Sequence, residues 1–201
     1  MSKAIVLFSG GMDSTMALLA AHRSREVICV AVNYGQRHNS ELRAAWDITK
    51  ALGVPYQLLE FQDFSAIAPS KLTGRNIETI VVPNRNAFLL SVAGAVAIAN
   101  GYDAIVVGCN ADDEAGFPDC RGTFLAPMEF ALSAAAERHI RIESPWLKLS
   151  KGEALASIEW TPEELNLIRT SVSCYEGSVP GCGACPACEK RSIAFRVAGV
   201  E

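Results

Sequence analysis

Apolar residues enter this chain in unbroken runs, not in strict alternation. Ala4-Ile5-Val6-Leu7-Phe8 is a continuous apolar stretch with β-branched members, the pattern of a strand covered on both faces in a parallel sheet. A Gly-Gly turn follows. From Asp13 the spacing of Met16, Leu18 and Leu19 turns helical, and it predicts a helix beginning where Asp13 or Ser14 can cap it. Residues 27–32 read as a second strand, 40–52 as a helix closed by Gly53, and 56–59 as a third strand. Strand, helix, strand, helix, strand is the order of right-handed parallel crossovers. The stretch 60–84 loses its periodicity around Pro69, Gly74 and Pro83 and is predicted to be a working loop. Further on, the pattern predicts a helix over 85–100 closed by Gly101, a strand over 104–107, an acidic loop over 108–122, a helix over 124–138 and a short strand over 140–142. After Pro145 the elements shorten: a turn or helix over 151–158, a helix opened by Thr161-Pro162-Glu163-Glu164, and a cysteine-rich tail leading into a helix over 186–197. The expected organisation is one α/β domain over 1–169 and a small metal-binding sub-domain over 170–201.

Composition narrows what such a chain can be. With 201 residues, half of them hydrophobic, it can bury roughly 70% of its unfolded surface and needs no disulfide staples. Seven cysteines, an odd number, fit poorly with a paired secreted framework, and the residues after Met1 lack the plan of a secretory leader. A reducing, cytoplasmic setting is the expectation. The longest low-polarity stretch, 87–99, is well short of the ~20 residues of a membrane span, so no membrane partner is expected. Eighteen basic against 22 acidic residues give a net charge of −4, which disfavours nucleic acid as a partner.

Two motifs carry chemistry. Ser9-Gly10-Gly11-Met12-Asp13-Ser14 joins a buried strand to a helix, where adjacent glycines bring the backbone close to a ligand and the N–H groups and dipole of the following helix favour an anion. It is neither the Walker loop nor the dinucleotide fingerprint, and a plain Gly-rich turn with a good cap is the alternative. The second motif is Cys174, Cys182, Cys185 and Cys188, two overlapping C-x-x-C pairs with a fourth cysteine upstream, which can surround one tetrahedral metal. Zinc in a closed, structural site fits this set. An iron–sulfur site, a redox pair and core packing are the alternatives, although no further cysteine follows Cys188 as a ferredoxin run requires. Cys29 and Cys109 read as packed small hydrophobes, and Cys120 lies beside candidate site residues. Phe117 and Trp146 read as core aromatics first and as base-stacking groups second.

The loop Ser9–Ser14 resembles the pyrophosphate loop of the N-type ATP pyrophosphatases, a group that includes GMP, NAD and asparagine synthetases and tRNA-thiolating enzymes. That resemblance implies a Rossmann-like (adenine nucleotide alpha hydrolase-like) sheet with helices on both faces. It also implies ATP held by Phe8, Ser9, Gly10, Gly11, Met12, Asp13, Ser14, Thr15, Met16, Ala17 and Leu18, with substrate-associated Mg²⁺ and attack of a substrate oxyanion on the α-phosphorus. Ser9, Asp13 and Ser14 are the candidate catalytic residues there. Lys151, in Leu149-Ser150-Lys151-Gly152-Glu153, resembles the downstream lysine that such enzymes bring to the phosphates; taken alone, it reads more often as a solvated helix start.

Together with Ser173-Cys174-Tyr175 and the Cys182-Gly183-x-Cys185-x-x-Cys188-x-x-Arg191 tail, the loop resembles the 7-cyano-7-deazaguanine synthase family across essentially the whole chain. Asn33-Tyr34-Gly35-Gln36-Arg37-His38, Val82-Pro83-Asn84-Arg85-Asn86 and Phe117-Pro118-Asp119-Cys120-Arg121 fit it as well. The resemblance implies 7-carboxy-7-deazaguanine, ATP and ammonia as substrates, a nitrile as product, one Zn²⁺ per chain and a homodimer. Ammonia arrives free or from a separate partner. Tyr34, Arg37, Arg85, Asn86, Asp119 and Arg121 are the candidate substrate contacts, with Asp119 suited to a guanine-like edge and Arg85 or Arg121 to the carboxylate. The acceptor left open beside it is another deazaguanine, a tRNA or another macromolecule. The chain departs from the family pattern at Asn84, where glycine is usual, in the acid-rich stretch 109–116 and in a compact 73–83. Asparagine tolerates left-handed backbone, so the turn at Asn84 is expected to survive.

Overall fold

The computed structural model describes residues 2–36, 39–61, 63–73 and 79–200. Five parallel strands form one sheet in the order β3-β2-β1-β4-β5, with β1 at Lys3–Leu7, β2 at Glu26–Asn33, β3 at Tyr56–Glu60, β4 at Ala104–Val106 and β5 at Arg141–Glu143. The apolar runs behave as their pattern requires. Ala4, Val6 and Phe8 enter one core and Ile5 the other, while in β4 Ala104 and Val106 face opposite to Ile105. Helices α1 (Met12–His22) and α2 (Ser40–Leu52) cover the first face. Helices α4 (Arg85–Asn100) and α6 (Gly122–Ala136) cover the second, because the chain reverses direction between β3 and β4. A one-turn helix, α3 (Phe64–Ile67), precedes α4.

Several local expectations are corrected. α1 starts at Met12 with Gly11 as its cap residue; neither Asp13 nor Ser14 caps it, and the Ser14 hydroxyl turns back to the Gly11 carbonyl instead. The acidic loop contains a one-turn helix, α5 (Ala111–Glu114), with a capping box made by Asn110 and Asp113, and a 3-10 turn at Pro118–Cys120. The edge strand β5 sits one residue later than expected, because pairing with β4 and not apolarity sets its register. Asn84 takes a left-handed φ of 58° directly before α4, as its tolerance of that conformation predicts.

The C-terminal third wraps the first face. α7 (Lys151–Ala156), α8 (Pro162–Thr170) and α9 (Pro186–Ala198) contribute Leu155, Ile168 and Ala194 to the same core as α1. α9 crosses α7 so closely that a Cβ on Gly152 would lie 2.8 Å from the Val197 Cβ. Among the described residues, no helix is long and apolar enough to cross a membrane.

Candidate active-site cleft and metal centre

The chain leaves β1 toward β2 on one side and reaches β4 on the other, so the carboxyl ends of β1 and β4 flank the point where strand order reverses. Open α/β sheets bind ligands there. A cleft of about 320 Å³ opens at this edge. Its floor is the Ser9–Ser14 loop, of which Ser9, Gly11, Asp13 and Ser14 line the cleft together with Phe8 before them, whereas Met12, Met16 and Leu18 are core residues. Gly10 has φ +85°, and a Cβ there would come 2.2 Å from the Glu41 carbonyl of α2. Glycine is thus required both for the turn and for the packing of α2 on it. Gly108, after β4, meets the loop from the opposite side, with a Cβ position 2.7 Å from the Asp13 carbonyl carbon.

Within the loop, Ser9 Oγ accepts the Gly11 N–H at 3.1 Å and lies 3.1 Å from Ser14 Oγ. The start of α1 points its dipole into the cleft, where Asp13 stands in its first turn. Lys151 supplies the cation that the loop lacks: its Nζ sits 2.9 Å from Asp13 Oδ2, with the lysine side chain only 10% exposed. Burial works against the charge on Lys151, but Asp13 beside it more than offsets this and holds its pKa above the ordinary value. A capping box at Ser150, made with Glu153, fixes where α7 begins, and Asp112 Oδ2 accepts the Lys151 N–H at 2.9 Å. Asn110 completes the cluster by donating Nδ2–H to Asp13 Oδ1 at 3.1 Å.

Tyr34, Arg85 and Asn86 also line the cleft. Arg85 keeps its charge because Tyr34, Cys120 and Asp119 lie near, although burial opposes it, and its buried Nε has no partner. Asp119 does not line the cleft among the described residues; its carboxylate accepts the Asn86 backbone N–H at 2.9 Å, while Asn86 Nδ2 donates to the Asp119 carbonyl and the Cys120 sulfur. Arg121 also stands outside the lining, with Nε donating to the Glu114 carbonyl at 2.8 Å. Arg37 lies outside the described residues. Phe117 lines the cleft under the Arg85 guanidinium, whereas Trp146 is buried in the core. Cys29 is a core residue; Cys109 and Cys120 are buried in the second core and reach the cleft.

Two cleft groups escape sequence reasoning. Glu41 is an acid in the first turn of α2, and burial pushes its carboxyl up to about 7, with Asp13 adding to the rise and Arg85 and Lys151 opposing it. Asp113 is likewise pushed up to about 6 by burial and by Asp13. The signal for Glu41 is indirect: a glycine that must be bare implies a close neighbour, but not which one.

The tail supplies a second centre that touches the first. The sulfur atoms of Cys174, Cys182, Cys185 and Cys188 all lie within 4.8 Å of one another, against ~3.8 Å expected between ligands of a tetrahedral ion with 2.3 Å bonds. Cys185 is the cap residue of α9 and Cys188 lies in its first turn. The Cys174 thiol is opposed by burial yet held at about 6 by N–H groups of Cys182, Glu176 and Ser178, while burial pushes Cys188 up to about 11. Four thiols so crowded ionise together only around a cation, and the set fits a metal. Ser173, Cys174, Tyr175, Ala187 and Lys190 of this segment also line the cleft.

Solved structures share the architecture. The chain is similar to the U34-tRNA thiolase NcsA from Methanococcus maripaludis, described with its [4Fe-4S] cluster (19% identity, TM-score 0.57, 98% of this chain and 65% of that one). It is also similar to an NH3-dependent NAD synthetase from Campylobacter jejuni (17%, 0.50, 83% and 64%). A third is a predicted subunit of tRNA methyltransferase from Methanocaldococcus jannaschii (16%, 0.50, 73% and 69%). The chain thus spans about two thirds of the length of these proteins, and at such identities the likeness establishes the fold alone. The match to the description of the queuosine biosynthesis protein QueC is of another kind, since it runs over residues 3–199 and takes in the loop, Lys151, the Arg85 wall and all four clustered cysteines. The chain belongs to the QueC family.

Proposed function

We propose that the protein is an ATP-dependent carbon–nitrogen ligase that joins ammonia to 7-carboxy-7-deazaguanine and releases the nitrile, 7-cyano-7-deazaguanine. The observation that carries this reading is one cleft with two buried cationic groups: Lys151, a first pole paired with Asp13 at the loop, and Arg85, a second whose buried Nε is unpartnered. A nucleotide polyphosphate suits the first pole and a carboxylate the second.

In this mechanism a substrate carboxylate oxygen attacks the α-phosphorus of ATP. The bond to pyrophosphate breaks, and an acyl adenylate forms. The loop N–H groups, the Ser9 and Ser14 hydroxyls and Lys151 hold the departing pyrophosphate. Ammonia then attacks the acyl carbon and expels AMP, giving the amide with loss of one proton. A second ATP adenylates the amide oxygen with release of pyrophosphate and one N–H proton, and departure of AMP with the remaining N–H proton leaves the nitrile. Glu41, whose carboxyl lies near 7, is the cleft group able to take protons from nitrogen at neutral pH. Magnesium arriving with the nucleotide would use the hard carboxylate oxygens of Asp13 and Asp113 and neutralise phosphate charge. The cysteine set suits zinc in a closed site that organises the tail. Asp119 and Arg121 enter as supports of the substrate wall, because their polar groups are engaged there with Asn86 and Glu114. Tyr34 and Asn86 face substrate directly.

The test is incubation of metal-loaded protein with Mg-ATP, ammonium and 7-carboxy-7-deazaguanine, followed by mass spectrometry and a pyrophosphate assay. Nitrile with pyrophosphate is expected, and Asp13→Ala should lose both while keeping its circular dichroism. Pyrophosphate release without nitrile would move the acceptor to another molecule; neither product would overturn the reading.

A further inference from the structure

Residues 171–174 run directly beneath the loop, and their contacts are specific. Ser173 Oγ accepts the Met12 N–H at 3.2 Å, one of the first N–H groups of α1. The Val172 N–H donates to the Gly10 carbonyl at 3.0 Å, and the Val172 carbonyl lies 3.5 Å from the Cβ position of Gly11. The loop is thus hydrogen-bonded at Gly10 and Met12 by a two-residue stretch of chain that also passes close under Gly11.

That stretch is itself held from both sides. Upstream, Ser171 Oγ accepts from Arg191 of α9 at 2.8 Å, and Arg191 also donates to the Ile168 and Arg169 carbonyls at the end of α8. Downstream, the next residue is Cys174, whose sulfur accepts the Cys182 N–H at 3.4 Å inside the cysteine cluster. Between Cys174 and Cys185 the chain forms neither helix nor strand, so the cluster is what fixes the downstream end. Four crowded thiolates repel one another unless a cation lies between them.

We infer that Ser173 is a positioning residue for the loop, and that the metal held by the four cysteines keeps it in place, so that metal occupancy and nucleotide binding are coupled through residues 172–174. The inference rests on the reading that a nucleotide occupies the loop. Coupling of this kind is reciprocal: metal tightens nucleotide binding, and nucleotide tightens metal binding by the same factor. A metal site that looks purely structural would then set the affinity of the cleft, and withdrawal of metal would silence the enzyme before the fold is lost.

The test uses the metal-loaded full chain. In Ser173→Ala, with metal content equal to wild type, affinity for Mg-ATP measured by calorimetry should fall about fivefold, the worth of one hydrogen bond, and Ser173→Thr should restore it by keeping the hydroxyl. The metal's Kd, measured by equilibrium competition with a chromophoric chelator, should fall about fivefold with Mg-ATP in wild type and stay unchanged in Ser173→Ala. In nucleotide-free protein, chelation should speed amide hydrogen exchange at residues 10–14 while β1 and β2 stay protected. Equal Mg-ATP affinity in Ser173→Ala and wild type, or loop exchange indifferent to metal withdrawal, overturns the inference. Should chelation unfold the whole chain, the Ser173→Ala comparison decides, since it needs no metal removal. Metal-loaded wild type that fails to bind Mg-ATP would overturn the nucleotide reading instead, and the exchange experiment would still decide whether the tether exists.

Discussion

Lys151 and Asp13 illustrate how little of a site one residue owns. A lysine side chain 10% exposed meets a carboxylate 26% exposed at 2.9 Å, and Asp13 holds the charge on Lys151 against burial. Removing one partner leaves the second charged and half-buried, which typically costs about 3 kcal/mol. Lys151→Met should therefore lower stability by that order and reduce ATP turnover at least a hundredfold. Lys151→Met combined with Asp13→Asn should recover much of the stability and none of the turnover. Urea denaturation of the four proteins, with pyrophosphate release measured beside it, checks both halves. If the double variant is as unstable as the sum of the singles, the two residues are not a coupled pair.

At the scale of elements, the cleft depends on where helices begin. α7 starts at Lys151 because Ser150 Oγ accepts the Glu153 N–H while the Glu153 carboxylate accepts the Ser150 N–H. Ser150→Ala should cost about 1 kcal/mol, visible as a lowered Tm, and should raise KM for ATP as Lys151 loses its fixed place. This tier was also the most legible in the sequence. Strands buried on both faces read as apolar runs, α2 and α4 end at glycines with left-handed φ, and the loop and cysteine spacings are local patterns. Illegible were features that tertiary approach decides. Gly11 and not Asp13 caps α1 because the loop keeps its N–H groups for other partners. Asp119 caps α4 from a turn 33 residues away. Glu41 and Asn110 carry no motif of their own, and only the fold brings them to Asp13 and Arg85.

For the molecule as a whole, the acids of the cleft tie stability to pH. Glu41 binds its proton up to about 7 in the folded chain, against an ordinary 4.5, and Asp113 up to about 6 against 3.8. Both pKa values are raised on folding, so the folded state holds more protons than the unfolded one between those limits. Their contribution is full below pH 4 and is lost as pH rises through 6 and 7. Arg85 and Lys151 oppose the rise of Glu41 and Asp13 assists it, so the effect belongs to the cluster. Glu41→Gln should flatten the fall in stability between pH 5 and pH 7.5 by an amount on the order of 3 kcal/mol, measured by urea midpoints at the two pH values. A slope unchanged by the substitution would place the proton elsewhere.

The hydrogen bond from Met12 to Ser173 joins residues 161 positions apart. During synthesis, β1, α1 and β2 can pair as soon as they leave the ribosome, yet the loop between them has no floor until residue 173 has emerged. Contacts of such separation form late and slowly. A growing chain therefore carries the complete loop motif in an idle state until residues 172 and 173 have been made and reach Gly10 and Met12.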